Sequence, residues 1–549
     1  MTLMTHKKRV LLIGLDGFTW RLGRDFMAEG VMPVLARMAA DGCSGNLQSV
    51  FPFETGPAWS SFQTGCFPGK TDVFAFHTYD RNRRVVRLNS FSDIAVPSVW
   101  QLADRAGKTV VSLNMPVSSP PPRVRGIIIP GLLCPKLSPA TVHPAEAYDK
   151  YIRPHKDYLI VNHDWQDTVA GFADQAIAAE QVRCEVALAI MKDVDWDIFF
   201  VQIQSGDPLQ HKVWWALDPD APGHSTRMRN EALRFYRSCD EIIGRLVDAA
   251  GAETLTLIAS DHGFCMKKAE VGINTWLRRK GYLQYVTDHP ATGLAAARNR
   301  LKENHPVLKS LAGACGRLHK NVSSGCKRLR EKMRKPGSTR IYAETLVSHI
   351  RTFVDFEKTR AFCLGGMGGM IYINGDARER TTFGRQLAGE LLDALGPGSE
   401  QPVIAGIRTS PEVYGVANPP CHAPDLVVEF AAGCELRIHP GGDEVVLPGV
   451  FKGNQQGTHS RQGVFVVRGP AVRAAGSFDA DIVDIVPTVL AYMDVPVPRH
   501  VDGTVLNNAF SEPLHVVYED VTCRVSSATD YSDDEQAEVE KHLHDLGYM

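Results

Sequence analysis

Seven short aliphatic runs organise this chain, each stopping at a polar residue or a glycine: RVLLIGLDG, TVVSLNMP, DIFFVQIQSGD, TLTLIASDHG, MIYING, DLVVEF and VFVVRGP. They do not alternate apolar with polar residues, so each reads as a strand buried on both faces. Longer stretches with helical periodicity lie between them, among them Ala173 to Met191 and Arg227 to Ala250. Buried strands spaced by helices predict an α/β chain whose mostly parallel sheet is covered by helices on both sides. The 549 residues suffice for one such core with insertions.

Composition narrows the class further. Apolar residues make up 44% of the chain and charged residues 22%, which excludes a disordered or collagen-like protein. Lys and Arg number 60 against 62 Asp and Glu, too even a balance for the broad basic field that binds a nucleic-acid polymer. No apolar run reaches the length of about 18 residues that a membrane-spanning helix needs. The twelve cysteines contain no CxxC pair and predict reduced thiols, as in a cytoplasmic protein. At the N-terminus, basic residues precede an apolar run that Gly14 interrupts and that enters Asp16 without a small-residue cleavage site. A buried first strand is expected there rather than a secretory leader.

The near-neutral total conceals two segregated segments. Arg298 to Lys335 carries twelve Lys or Arg against two Glu. It reads as an inserted helical cap with a solvated basic face, or as an element that meets a membrane surface or a polyanion. From Thr529 the chain is acidic and helical in pattern up to His544. The expected organisation is therefore a core over 1–285, a basic insertion over 286–345, the second part of the core over 346–510 and an acidic tail over 511–549.

The strand ends carry the chemistry. Asp16 directly follows the first strand, where open α/β sheets place ligand-binding residues. Thr55, in PFETGPAWSSFQTG, precedes an expected helix start near Ala58; its hydroxyl either caps that helix or stands beside free backbone N–H groups as a nucleophile. SGDPLQH sets Asp207 and His211 four residues apart, on one helix face. ASDHGF supplies Asp261 and His262, and QQGTHS supplies His459 just before the last aliphatic run. Three carboxylates and three imidazoles at strand edges form an N/O donor set suited to two zinc ions or similar metals.

The order Asp, Thr before Pro, Asp-x-x-x-His, Asp-His-Gly, Gly-Thr-His resembles the alkaline phosphatase superfamily, specifically its type I phosphodiesterase/nucleotide pyrophosphatase branch. The segments TGCFPGKTDVFAF, INTWLRRKGYL and DIVPTVLAYMDVPVPRHVDGTVL add to the resemblance, which spans roughly Arg9 to Leu506. It implies an alkaline phosphatase-like core with an inserted helical cap. It also implies two divalent cations, Zn2+ in the first place and Mn2+ as the alternative. One would be held by Asp207, His211 and His459, the other by Asp16, Asp261 and His262 with Thr55 as an additional ligand. The implied reaction is hydrolysis of a phosphodiester or nucleotide pyrophosphate bond in a small molecule, through a covalent phosphothreonine at Thr55. A backbone N–H at Thr55 or Gly56 is the expected oxyanion donor.

Substrate choice departs from the resemblance. Phe76 stands where nucleotide pyrophosphatases of the branch carry an Asn that touches a phosphate oxygen. Asn114 or Lys70 could replace that donor, and Trp59 could wall an apolar group of the substrate. A sulfatase is disfavoured, because its C/S-x-P-x-R motif is absent. Phosphomonoester or phosphonate hydrolysis, or transfer of the phosphoryl group to an alcohol, remain alternatives on the same site.

Overall fold

A computed structural model describes residues 7–161, 168–286, 346–417, 419–437, 443–449, 456–522 and 531–546. The basic insertion lies outside the described residues. The architecture is mixed α/β, built around a nine-stranded, mostly parallel sheet. At its centre Val10–Leu15 runs parallel to Leu255–Ala259 on one side and to Ile198–Ile203 on the other. Val110–Met115 and Gly126–Pro130 extend the parallel part. Gln462–Arg468 runs antiparallel to both Leu255–Ala259 and Cys43–Gln48.

The lack of alternation in the first strand has a direct cause. Leu11, Ile13 and Leu15 pack into one core and Val10 and Leu12 into another, on opposite faces of the sheet. Helices Val169–Asp193 and Thr226–Ala250 cover the first face, while Thr55–Thr64, Val99–Arg105 and Ile485–Tyr492 cover the second. With both faces buried, no position along the strand calls for a polar residue.

Two of the seven runs do not join this sheet. Gly369–Ile373 and Leu426–Phe430 pair antiparallel with each other in a separate four-stranded sheet that also holds Ala361–Leu364 and Ile404–Thr409. They too are almost wholly buried, so they read like central parallel strands. Hydrophobicity reports burial on both faces and is silent on the partner and its direction. The acidic C-terminal segment is helical over Asp533–Leu546 and buries Val539, Leu543 and Leu546 against this second core.

The nine cysteines among the described residues are all free. Among the same residues, no helix is long and apolar enough to cross a membrane.

Trp59 has no exposed area, and its ring packs edge-on to Phe62 and Phe200. It also explains Gly14 in the central strand, where a Cβ atom would come within 2.6 Å of Trp59 Cη2. Gly14→Ala is expected to cost about 1–3 kcal/mol of stability through overpacking, read as a lower urea midpoint. A midpoint equal to that of the parent protein would mean that Trp59 yields without strain.

Candidate metal centre

Three adjacent parallel strands deliver three carboxylates to one place. Asp16 follows Leu15, Asp261 lies two residues beyond Ala259, and Asp207 lies four beyond Ile203, all at the carboxyl ends of neighbouring strands. Asp207 sits in the first turn of helix Gly206–Leu217, and His211 follows one turn later, with its Nε2 3.6 Å from Asp207 Oδ2. Gly457–Ser460 pairs antiparallel with Gly263–Met266, which places His459 opposite Phe264 and stacks its ring on that of His262 at 3.6 Å between centroids.

Each imidazole is oriented by its other nitrogen. The Nδ1 atoms of His211, His262 and His459 lie 3.0, 3.2 and 3.1 Å from the carbonyl oxygens of Gly457, Gly263 and Phe53. With Nδ1–H donating to those carbonyls, the Nε2 lone pairs are turned inward. His459 Nε2 is then 3.0 Å from Asp207 Oδ1 and 3.0 Å from His211 Nε2, while His262 Nε2 is 3.2 Å from Asp261 Oδ2. Two groups, Asp16/Asp261/His262 and Asp207/His262/His459, bring ligand atoms within 4.8 Å of one another, with every member buried. His262 belongs to both, and His211 adjoins the second.

The electrostatics show what such a centre lacks from protein groups alone. Burial, followed by the charges of Asp261 and Asp207, pushes the Asp16 carboxyl well above the usual range, and burial raises Asp261 likewise. Asp207 moves the other way: burial opposes its charge, but the surrounding imidazoles, His211 foremost, hold its carboxyl low. Burial lowers His211, and lowers His262 strongly. His459 is raised, because its contact with Asp207 outweighs burial. Asp16 Oδ1 and Asp261 Oδ2 are buried without a hydrogen-bond donor among the described residues. Carboxylates in that condition, beside inward-facing imidazole nitrogens, are donors for a dication, and the residues present fit one in each group.

Thr55 is fully buried and begins helix Thr55–Thr64, three residues ahead of the expected start, since Pro57 is tolerated in a first turn. Its Oγ1 lies 3.5 Å from His262 Nε2. The Gly56 N–H, also in that first turn, has no acceptor within the helix. Phe76 lies against it: a Cβ on Gly56 would approach the Phe76 ring at 3.1 Å. Lys70 is turned away, bonded to the His500 carbonyl and the Asp502 carboxylate.

Asn114, with φ of +63°, points its amide at Gln202 Oε1 and Gln204 Oε1, both at 3.4 Å. It therefore supports the centre from behind. Gln202 Nε2 donates to Asp16 Oδ2 at 2.6 Å, the Gly17 N–H donates to Asp261 Oδ1 at 3.1 Å, and Gln210 Nε2 donates to the Gly17 carbonyl at 2.8 Å.

Sequence reasoning missed these amides, and it missed Glu180. That buried side chain accepts from the Gln204 and Ser205 N–H groups and from Ser205 Oγ, at 3.1, 2.8 and 2.6 Å, and is paired with buried Arg183. It thereby fixes the turn that leads to Asp207. A charged pair on the buried face of AIAAEQVRCEV was the available signal, since unpaired charges are rarely buried.

The sequence profile of the type I phosphodiesterase/nucleotide pyrophosphatase family matches residues 10–343. Human ectonucleotide pyrophosphatase/phosphodiesterase 5 superposes with a TM-score of 0.51 at 13% identity, over 90% of this chain and 97% of that one. Phosphonoacetate hydrolase from Sinorhizobium meliloti, in complex with phosphonoformate, gives 0.54 at 14% identity, over 89% and 96%. An inactive form of murine ectonucleotide pyrophosphatase/phosphodiesterase 5, in complex with AMP, gives 0.50 at 12%, over 89% and 95%. At these identities the likeness is one of fold. No curated protein matches the chain in sequence.

Glu180→Ala is expected to destabilise the protein by about 3–5 kcal/mol, because it strands the buried Arg183 guanidinium. Chemical denaturation measures this, and a loss below about 1 kcal/mol, the level of a solvent-exposed pair, would show that water reaches the pair.

Proposed function

The chain belongs to the type I phosphodiesterase/nucleotide pyrophosphatase family, and on that premise we propose that it is a two-metal hydrolase of phosphodiester or nucleotide pyrophosphate bonds that uses Thr55 as its nucleophile. The observation that carries this reading is the convergence of Thr55 Oγ1 with the two buried Asp/His groups. Asp16, Asp261 and His262, with Thr55, would hold one divalent cation, and Asp207, His211 and His459 the other. Bound there, the cations would lower the pKa of the Thr55 hydroxyl and neutralise charge on the phosphoryl oxygens.

The remaining steps belong to the chain's own groups. Thr55 Oγ forms a bond to phosphorus while the alcohol or phosphate leaving group departs, and water then cleaves the phosphothreonine, returning the hydroxyl. The start of the Thr55 helix directs its first-turn N–H groups, that of Gly56 among them, towards an anion, which suits an oxygen bearing the transferred charge. Phe76 puts an aromatic ring against Gly56, so the phosphate gains no amide donor from that position. That weakens the transfer of nucleotide specificity to this chain and leaves the orientation of the phosphate to the metals and the helix start.

A second reading, hydrolysis of a phosphonate, shares the site. The fold likeness to phosphonoacetate hydrolase and the absence of a polar donor at Phe76 favour including it in the same assay. Both readings expect a small-molecule substrate.

Removal of divalent cations with a chelator is expected to abolish hydrolysis, and zinc or manganese to restore it; activity that survives metal removal would end the two-metal reading. Thr55→Ala should lower kcat by about a thousandfold or more with metal content kept, and retained turnover would exclude the covalent route. Given bis-p-nitrophenyl phosphate, p-nitrophenyl phosphate and phosphonoacetate in parallel, the enzyme should prefer the diester. A preference for either of the others would replace the diesterase reading.

A further inference from the structure

We propose that Glu54 is a positioning residue for Thr55: it locks the glycine-rich loop Gly365–Gly369 onto the start of the Thr55 helix, so that the four-stranded sheet supplies one wall of the reaction site. The proposal rests on Thr55 being the nucleophile.

Glu54 occupies the N-cap position of helix Thr55–Thr64, yet its side chain makes no capping bond to that helix. Its Oε1 instead accepts three successive backbone N–H groups, from Gly366, Met367 and Gly368, at 2.9, 2.7 and 3.3 Å. The carboxylate is buried, and three converging amides are the arrangement by which a backbone concavity holds an anion. The loop can approach because it lacks side chains where it must. Gly365 has φ of +98°, and a Cβ on Gly368 would lie 2.9 Å from Pro52 Cβ.

The contact does more than join two sheets. Phe53, immediately before Glu54, lends its carbonyl to His459 Nδ1 at 3.1 Å. Met367, within the latched loop, places its Sδ 3.3 Å from Thr458 Oγ1, beside His459. Leu436 N donates to the Gly366 carbonyl at 3.1 Å, and Glu435 next to it accepts from Thr458 Oγ1. Segment 52–55, the glycine-rich loop and the His459 strand are thus fastened pairwise, and Glu54 is the fastening nearest the nucleophile. With its carboxylate on the loop, Glu54 makes no side-chain capping bond to the first turn of the Thr55 helix.

The test compares the full-length metal-loaded parent with Glu54→Ala, Glu54→Gln, Gly368→Ala and Thr55→Ala. For each, kcat and KM on bis-p-nitrophenyl phosphate, bound metal and amide hydrogen exchange across 365–369 are measured. Glu54→Ala should lower kcat at least about tenfold, with KM and metal content little changed and exchange in the loop accelerated. Glu54→Gln keeps an acceptor oxygen for the three amides and should recover most of kcat. Gly368→Ala keeps the Glu54 side chain but drives the loop off Pro52 and should reproduce the kcat loss, which keeps the proposal testable if Glu54→Ala fails to fold. A kcat within twofold of the parent in both Glu54→Ala and Gly368→Ala would overturn the proposal. So would a loss in Glu54→Gln equal to that in Glu54→Ala. Retained turnover in Thr55→Ala would instead overturn the nucleophile reading itself, so the two failures are distinguishable.

Discussion

The burial of Asp16, Asp207 and Asp261 side by side is the constraint on which the rest of this structure depends. Three carboxylates in a medium of low polarity repel one another and have lost their water, a condition a fold tolerates only if positive charge and donors are brought to them. The molecule does so in layers. Imidazoles face inward because their outer nitrogens are tied to carbonyls. Behind them Gln202 holds Asp16, the Gly17 N–H holds Asp261, and Glu180 shapes the turn before Asp207. Gly17 must be glycine, since φ is +68° and a Cβ would press on the Phe264 ring at 2.8 Å.

This layering rests on the most deeply buried strands of the fold, which lie beneath the site. The central strand and its two parallel neighbours are fully buried, so the points where their ends release Asp16, Asp207 and Asp261 are set by sheet pairing on one side and by helix packing on the other. Chemistry that depends on distances of a few ångströms benefits from such a base, because misplaced donors lose most of their effect. The four-stranded sheet adds a glycine-rich loop that reaches the Thr55 helix through Glu54. The site is therefore built from segments that are hundreds of residues apart.

Family membership and site geometry bear on different levels of the function. The profile match assigns the chain to phosphodiesterases and nucleotide pyrophosphatases. Around the site, Phe76 lies against Gly56, Lys70 is committed to Asp502, and Asn114 is turned to the glutamines behind Asp16. The buried Asp/His groups are concentrated at the strand ends, with Thr55 at the start of the adjoining helix.

Much of this was legible in the amino-acid order. Buried parallel strands follow from aliphatic runs without alternation, and the Asp/His set follows from the polar residues that end them, because a strand end in such a sheet is where side chains escape the core. The one-turn spacing of Asp207 and His211 foretold a shared helix face. Residues whose meaning depends on a distant partner were not legible. Trp59, an aromatic early in a helix, reads as core before it reads as a ligand wall, and its packing partner Phe200 comes from a distant strand. Glu54 and Glu180 gain their roles only when their backbone partners arrive from elsewhere in the chain. The runs at Gly369–Ile373 and Leu426–Phe430 carry the hydrophobicity of central strands yet pair in another sheet. Local sequence determined which segments are buried and which chemical groups stand at their ends, since burial and side-chain chemistry are properties of the segment itself. Only the tertiary structure decided strand order, the second sheet and the positioning residues, because hydrogen bonds between distant segments exist only after both have been brought together.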